Sequence, residues 1–182
     1  TSVGSIKKIK KVAEIIRDYK KKNYKVIVIS SAMSGVTNEL IKKSFEISNN
    51  FSESEYDVLV SSGEQVACSL IAARLIHNGY KSRSWLSWQV PIITVGAHMN
   101  SRINQINKNK IIKYLKEGGI PIIAGFQGVN NENRITTIGR GGSDASAIMF
   151  AKFFKAERCI IYTDVEGVYT TDPNKLRKAK KI

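Results

Sequence analysis

Three continuous apolar runs constrain the fold most strongly, at residues 26–29, 120–126 and 158–163. Strands that are buried on both faces have unbroken apolar sequences, whereas half-exposed strands alternate apolar and polar residues. The segments between the runs have helical spacing. Strands that alternate with helices are typical of a mainly parallel sheet with helices on both faces, so the pattern predicts an α/β fold.

Helical spacing predicts amphipathic or buried helices over residues 6–22, 39–47, 57–77 and 108–117, and from the Gly-Ser-Asp at 142–144 to about Lys155. Asn78-Gly79 and Gly118-Gly119 are typical helix ends. Shorter strand-like pieces lie at 84–86 and 92–95. No repeat or low-complexity linker interrupts residues 1–182, and we expect one domain.

The net charge of +14 raises the question of nucleic-acid binding. The first lysine cluster, at positions 7, 8, 10 and 11, falls on the polar face of the first predicted helix. None of the clusters has interleaved aromatic residues for base stacking. Solvated helix faces are therefore the favoured interpretation, and we expect no nucleic-acid partner. A nucleic-acid-binding domain would instead show a steep salt dependence of DNA affinity that Arg140→Ala leaves unchanged.

The cellular compartment is predicted from apolar runs and leader signals in the sequence. No apolar run approaches the roughly 20 residues that cross a bilayer, and no secretion leader is recognisable, so we expect a cytoplasmic protein without a membrane partner. Cys68 and Cys159 each lie in an apolar stretch, which favours reduced, buried thiols over a disulfide.

The most informative motif is Gly139-Arg140-Gly141-Gly142-Ser143-Asp144, directly before a predicted helix. Glycines allow close backbone approach, and a helix start offers unpaired N–H groups to an anion. The Arg140 guanidinium suits a carboxylate. A plain turn with Ser143 as the N-cap is the alternative. Neither a Walker A loop nor a dinucleotide fingerprint fits the spacing. Asp144 would repel an anion unless it meets an ammonium group, Mg²⁺ or a lysine, which favours a zwitterionic ligand.

Three weaker candidates accompany this motif. The loop at 31–38 follows a predicted strand, so the Ser31 and Thr37 hydroxyls could meet phosphate or substrate oxygens. Glu64 is an acid in a largely apolar helix and could accept an ammonium group, although a half-exposed or paired carboxylate is the commoner finding. The hydroxyl- and carboxylate-rich segment 162–173 suits a ribose and an adenine edge, but its composition is also that of an ordinary surface loop.

Five motifs, taken in order along the chain, resemble those of the aspartokinase family and together span nearly all of the sequence. They are Ser31-Ala32-Met33 with Thr37-Asn38, Ser62-Gly63-Glu64, Gly125-Phe126-Gln127-Gly128, the 139–144 motif, and Tyr162-Thr163-Asp164-Val165 with Tyr169-Thr170-Thr171-Asp172-Pro173. The resemblance implies the amino-acid kinase fold, a three-layer α/β/α sandwich around a mainly parallel eight-stranded sheet. It implies transfer of the γ-phosphoryl group of ATP to L-aspartate, an entry step to lysine, threonine, methionine and diaminopimelate. It also implies a homodimer.

The resemblance assigns roles to individual residues. Arg140, Gly141, Gly142 and Ser143 would bind a substrate carboxylate, and Thr37 and Glu64 would complete the aspartate pocket. Arg140 and Asp144 would be catalytic, with Asp144 organising the reacting groups. The ATP site would comprise Ser31, Thr163, Asp164, Tyr169, Thr170, Thr171, Asp172, Pro173 and Asn174. No residue is assigned to a metal, because Mg²⁺ would arrive with ATP, held mainly by phosphate oxygens and water.

The sequence departs from the family pattern in three places. The Lys-Phe-Gly-Gly string that precedes Thr-Ser in the family is absent, as are a downstream lysine and the regulatory ACT domains. Asn174 stands where an arginine is frequent, unless Lys175 replaces its phosphate contact. We therefore expect a domain truncated at both ends, with poor turnover by residues 1–182 alone. Acetylglutamate, glutamate, carbamate and uridylate kinases stay open as alternatives, as does a non-catalytic remnant.

Overall fold

The structure, a computed structural model, describes residues 3–139 and 141–163. Within these residues the elements are, in order, α1 (Ile6–Lys21), β1 (Val28–Ser30), α2 (Val36–Ile47), α3 (Glu53–His77), β2 (Ser82–Trp85), β3 (Ile92–Val95), β4 (Arg102–Ile106), α4 (Asn109–Lys116), β5 (Ile120–Ala124), β6 (Gln127–Val129), β7 (Ile135–Thr137) and α5 (Gly142–Phe154).

Helix α1 forms as its sequence pattern predicts. Ser5 caps it, and the Ser5 hydroxyl oxygen accepts a hydrogen bond from the Lys8 N–H at 3.2 Å. Ile9, Ala13 and Ile16 are buried, while the lysines of the first cluster are exposed. The prediction that these lysines lie on a solvated helix face is confirmed.

Strand β5 is the centre of a three-stranded parallel sheet in the order β1-β5-β2. Val28 and Ser84 both pair with Ile122, and all five residues of β5 are buried. Ile122 packs in a cluster with α1 and α3, whereas Ile123 packs in a second cluster with α4 and α5. Helices therefore cover both faces, and the predicted α/β sandwich is confirmed.

A second sheet has the order β4-β3-β6-β7, with a parallel pair in the centre, β3 and β6, and antiparallel pairs outside it. Strands β4, β6 and β7 were not expected from the sequence. They have five, three and three residues and contain many polar side chains, so they lack the apolar runs on which the prediction depended.

Helix α3 has 25 residues, and by length and composition it could cross a membrane. Half of its most apolar window is buried inside the protein, where Cys68, Ile71 and Leu75 join the core between α1 and β5. It also carries the buried acids Asp57 and Glu64. This packing is that of a core helix.

The structure corrects three expectations. Residues 158–163 form no strand and are exposed, because an apolar run needs a hydrogen-bonded neighbour and none of the described strands pairs with it. Cys159 lies in this segment and is exposed, while Cys68 is buried as expected. Helix α2 begins at Val36 rather than at residue 39, because Gly35 takes a left-handed conformation, with φ of 81°, at its N-cap.

Candidate functional site

The candidate site lies where β1 and β5 end. The Gly125 N–H donates to the Ser30 carbonyl at 2.9 Å. A Cβ on Gly125 would lie 3.3 Å from the Cα of Ser143 and 3.0 Å from the Ser30 carbonyl oxygen. The start of α5 therefore packs directly on the carboxyl ends of two neighbouring parallel strands, the place where open α/β sheets bind ligands.

The geometry at the start of α5 requires glycine twice. Gly141 is the N-cap, with φ of 75°, and no side chain of the described residues caps the first turn. A Cβ on Gly142 would lie 2.3 Å from the Phe126 ring. Ser146 holds this contact from within α5, because its Oγ accepts the Phe126 N–H at 3.0 Å. The helix start therefore offers backbone N–H groups and the positive end of a dipole, an arrangement that suits an anion.

Glu64 is almost fully buried, at 4% exposure, two turns along α3 from Asp57. Its Oε1 accepts the Ala32 N–H at 3.1 Å, while its Oε2 has no hydrogen-bond partner among the described residues. Burial raises the pKa of this carboxyl group to about 7. A buried acceptor without a donor is costly for the protein. Such an oxygen is suited to a donor supplied by a ligand, and an ammonium group would both bind it and favour its ionised form.

The loop after β1 packs against the same turn of α3. A Cβ on Gly63 would lie 2.9 Å from the Ala32 Cβ and 3.2 Å from a Val36 methyl group. Ser31 precedes Ala32, and Thr37, half-buried, follows Val36 in the first turn of α2. The structure thus brings Ser31, Thr37 and Glu64, three residues predicted from sequence, to one side of the site.

A groove of about 1100 Å³ runs beside β1 and reaches the start of α5. Ser31, Ser143 and Asp144 line it together with apolar residues of β1 and residues 159–162. Among the described residues, seven lysine and arginine side chains line the groove against two acidic ones, Asp144 and Glu157. The positive charge of the groove suits a polyanion such as a nucleoside triphosphate.

Several predicted residues lie outside the described residues: Arg140, Asp164, Tyr169, Thr170, Thr171, Asp172, Pro173, Asn174 and Lys175. Thr163, the last residue described, is exposed and does not line the groove. The nucleotide half of the prediction therefore stays a prediction.

One buried acid at the site was missed by sequence reasoning. Asp57 has 0% exposure and accepts hydrogen bonds from the Met99 N–H, from His98 Nδ1 and from the Thr137 hydroxyl. The available signal was its spacing, because Asp57 and Glu64 are seven residues apart and share one face of a predicted helix.

The family model described as the amino acid kinase family matches residues 1–182. An aspartokinase of Rickettsia conorii is 50% identical over 100% of this chain and 46% of its own length. The structure of an aspartate kinase from Synechocystis is 36% identical, with a TM-score of 0.77 over 99% of this chain and 30% of its own. E. coli aspartokinase III in complex with aspartate and ADP is 25% identical, with a TM-score of 0.82 over 100% of this chain and 51% of its own. The chain spans about half the length of the curated relatives that it matches.

Proposed function

The chain belongs to the amino acid kinase family, and we propose that the protein transfers the γ-phosphoryl group of ATP to the side-chain carboxylate of L-aspartate. The products are 4-phospho-L-aspartate and ADP. The observation that carries the proposal is the buried Oε2 of Glu64, which has no hydrogen-bond partner among the described residues. Glu64 contacts the loop after β1, and the glycine-lined start of α5 packs on the end of the same strand. One group suits an ammonium and the other a carboxylate, as an amino-acid substrate requires.

The substrate is held at both charged ends in this proposal. Its ammonium group donates to Glu64 Oε2, with Thr37 beside it. A carboxylate of the substrate accepts hydrogen bonds from Gly141, Gly142 and Ser143, and the Arg140 guanidinium adds a bidentate contact. The reacting side-chain carboxylate is already ionised at neutral pH, so no general base is needed. Asp144, which lines the groove, organises the reacting groups.

ATP occupies the positively lined groove in this proposal. Ser31 lines this groove, as does Tyr162, the residue before Thr163. By resemblance, the other nucleotide contacts are assigned to Thr163, Asp164, Tyr169, Thr170, Thr171, Asp172, Pro173 and Asn174. Catalysis then consists of in-line positioning and charge neutralisation. Mg²⁺ arrives with ATP in this proposal, held mainly by phosphate oxygens and water, and neutralises phosphate charge.

The resemblance also supports a cytoplasmic homodimer. Sedimentation of the purified protein tests its oligomeric state, and fractionation of the source cells tests its compartment.

The deciding experiment is an ADP-release assay on protein made from the complete reading frame that encodes residues 1–182. The acceptor panel is L-aspartate, L-glutamate, N-acetyl-L-glutamate, carbamate and UMP. We expect turnover with L-aspartate, and a marked loss of it in Arg140→Ala. Glu39→Gln, a change at an exposed glutamate of α2 that pairs with Lys43, is the control and keeps full activity. Turnover with another acceptor alone would reassign the substrate. Calorimetry that finds no binding of ATP or aspartate would favour a non-catalytic remnant.

A further inference from the structure

Asp57 is a carboxylate buried without a cation from lysine or arginine among its described partners. Its Oδ2 lies 2.6 Å from His98 Nδ1, and both of its oxygens lie 3.1 Å from the Met99 nitrogen. The Thr137 hydroxyl donates to Oδ1. Burying a carboxylate is unfavourable unless several donors satisfy it. Here the donors come from two segments that are distant in sequence from α3 and from each other.

The first segment is the loop between β3 and β4, residues 96–101. Met99 has a left-handed backbone conformation, with φ of 62°, which is unfavourable for a side chain of this kind. Its N–H is the group that donates to Asp57. The carboxylate therefore stabilises a loop conformation that the loop's own sequence does not favour.

The second segment is the end of β7, directly before the glycine motif. The Ser101 N–H and Oγ both donate to the Thr137 carbonyl, at 3.0 and 2.9 Å. Asn100 packs against the motif itself, because its Oδ1 lies 2.6 Å from where a Cβ on Gly139 would be. The 96–101 loop, which Asp57 holds in place, therefore contacts both the end of β7 and Gly139, the first residue of the glycine motif.

Asp57 and Glu64 lie on one face of one rigid helix, two turns apart, or roughly 10 Å along its axis. Glu64 faces the Ala32 loop, and Asp57 holds the entry to the glycine motif. Helix α3 therefore fixes the distance between the two groups that are proposed to bind the two ends of the substrate.

We propose that Asp57 is a positioning residue that sets the glycine motif at the correct distance from Glu64 and so determines the affinity for the amino-acid substrate. It acts through Thr137, His98 and the 96–101 loop and does not touch the substrate. The inference rests on the proposed function for its kinetic readout, and its structural part is measured independently.

The kinetic test uses protein from the complete reading frame and compares Asp57→Asn, Thr137→Val and Thr137→Ser. Asparagine keeps the size of Asp57 but lacks its charge and one acceptor. Valine keeps the shape of Thr137 without its hydroxyl, whereas serine retains the hydroxyl. Misplacement of a binding group by about 1 Å reduces catalytic efficiency up to a hundredfold. We expect Asp57→Asn and Thr137→Val to raise KM for L-aspartate at least about tenfold, with KM for ATP within about twofold of the parent value.

Two variants serve as references. Thr137→Ser restores the parent KM for L-aspartate. Glu55→Gln, two residues from Asp57 on α3, removes an exposed ion pair with Arg134 and leaves both KM values unchanged. A purely structural Asp57 would lower thermal stability without separating the two KM values. That result, or an equal rise in both KM values, overturns the proposal.

Hydrogen exchange provides the readout that does not depend on activity. In Asp57→Asn and Thr137→Val, peptides that cover residues 96–101 and 136–143 exchange faster, while peptides from α1 keep the parent rate. Unchanged exchange in both segments overturns the inference even if the protein is an active aspartate kinase. If the variants exchange faster but the parent protein does not phosphorylate aspartate, the proposed function is wrong. The coupling of Asp57 to the glycine motif is then still supported. If Asp57→Asn fails to fold, the comparison of Thr137→Val with Thr137→Ser tests the proposal.

Discussion

Glu64 Oε1 accepts a hydrogen bond from the Ala32 N–H at 3.1 Å, so a carboxylate of the long helix α3 is fixed against the loop that follows β1. The contact turns the second oxygen, Oε2, into a buried acceptor without a described partner. Because Gly63 allows Ala32 and Val36 to approach the same turn of α3, the carboxylate and the start of α2 form one wall of the site.

Replacement of Glu64 by glutamine tests this wall. The amide keeps the size of the side chain but loses the charge that an ammonium group would meet. A hydrogen bond to a charged group contributes about 1.5–3 kcal/mol, so we expect KM for L-aspartate to rise about 10- to 100-fold. KM for ATP stays near the parent value. Steady-state kinetics with each substrate varied in turn measures both, and an unchanged KM for L-aspartate would exclude Glu64 from the pocket.

The stability of the protein without ligand depends on pH through the same residue. The pKa of Glu64 is raised by burial from 4.5 to about 7, so the folded protein holds this proton more tightly than the unfolded chain does. The Glu64 contribution to the free energy of unfolding is therefore most favourable below pH 4.5, falls as pH rises from 4.5 to 7, and is lowest above pH 7. The shift corresponds to a loss of about 3 kcal/mol.

Glu64→Gln removes this titration. Denaturant unfolding measures the free energy of unfolding of both proteins at pH 5 and pH 8. We expect the variant to be more stable, relative to the parent, at pH 8 than at pH 5. Glu39→Gln, at an exposed position, keeps the parent pH dependence. A stability difference between Glu64→Gln and the parent that is the same at both pH values would show that Glu64 is not buried as a carboxylic acid.

Much of the central sheet and the helices could be predicted because local pattern and tertiary environment agree there. The run at 120–126 contains β5, whose five residues are all buried, and α5 begins at Gly142, within the glycine motif, as predicted. The run at 158–163 has the same local pattern, yet it forms no strand, because strand formation depends on a neighbour elsewhere in the chain. Local sequence does not contain that information.

The part of the site that was missed is non-local in the same sense. Asp57 is 41 residues from His98 and 80 from Thr137, and nothing near Asp57 in sequence indicates that both will reach it. Glu64 was identified because an isolated acid in an apolar helix is conspicuous, whereas Asp57 lies near the start of α3, where acids are common. Three-dimensional packing distinguishes the two cases.

Cys68 provides a test of the core beneath the site. Its thiol donates to the Ile122 carbonyl at 2.9 Å, and burial raises its pKa to about 12. In a Cys159→Ser background, Cys68 is the sole thiol of residues 1–182. We expect peptide mapping to find Cys68 unmodified by an aromatic disulfide reagent at pH 8 until denaturant unfolds the protein. Rapid reaction of the folded protein would show that α3 does not pack on β5 as described.

Close packing at the start of α5 predicts the effect of one added methyl group. In Gly142→Ala the new Cβ would lie 2.3 Å from the Phe126 ring and 3.4 Å from Ile138, so the helix start must move. Overpacking of this kind costs about 1–3 kcal/mol of unfolding free energy, and a displaced helix start also raises KM for L-aspartate. Gly79→Ala is the matched control, because Gly79 has φ of 81° and no atom of the described residues lies within 4 Å of its Cβ position. It is expected to cost about 1–2 kcal/mol through backbone strain alone and to leave KM unchanged. If both variants lose stability but neither changes KM, the first turn of α5 does not bind the substrate carboxylate.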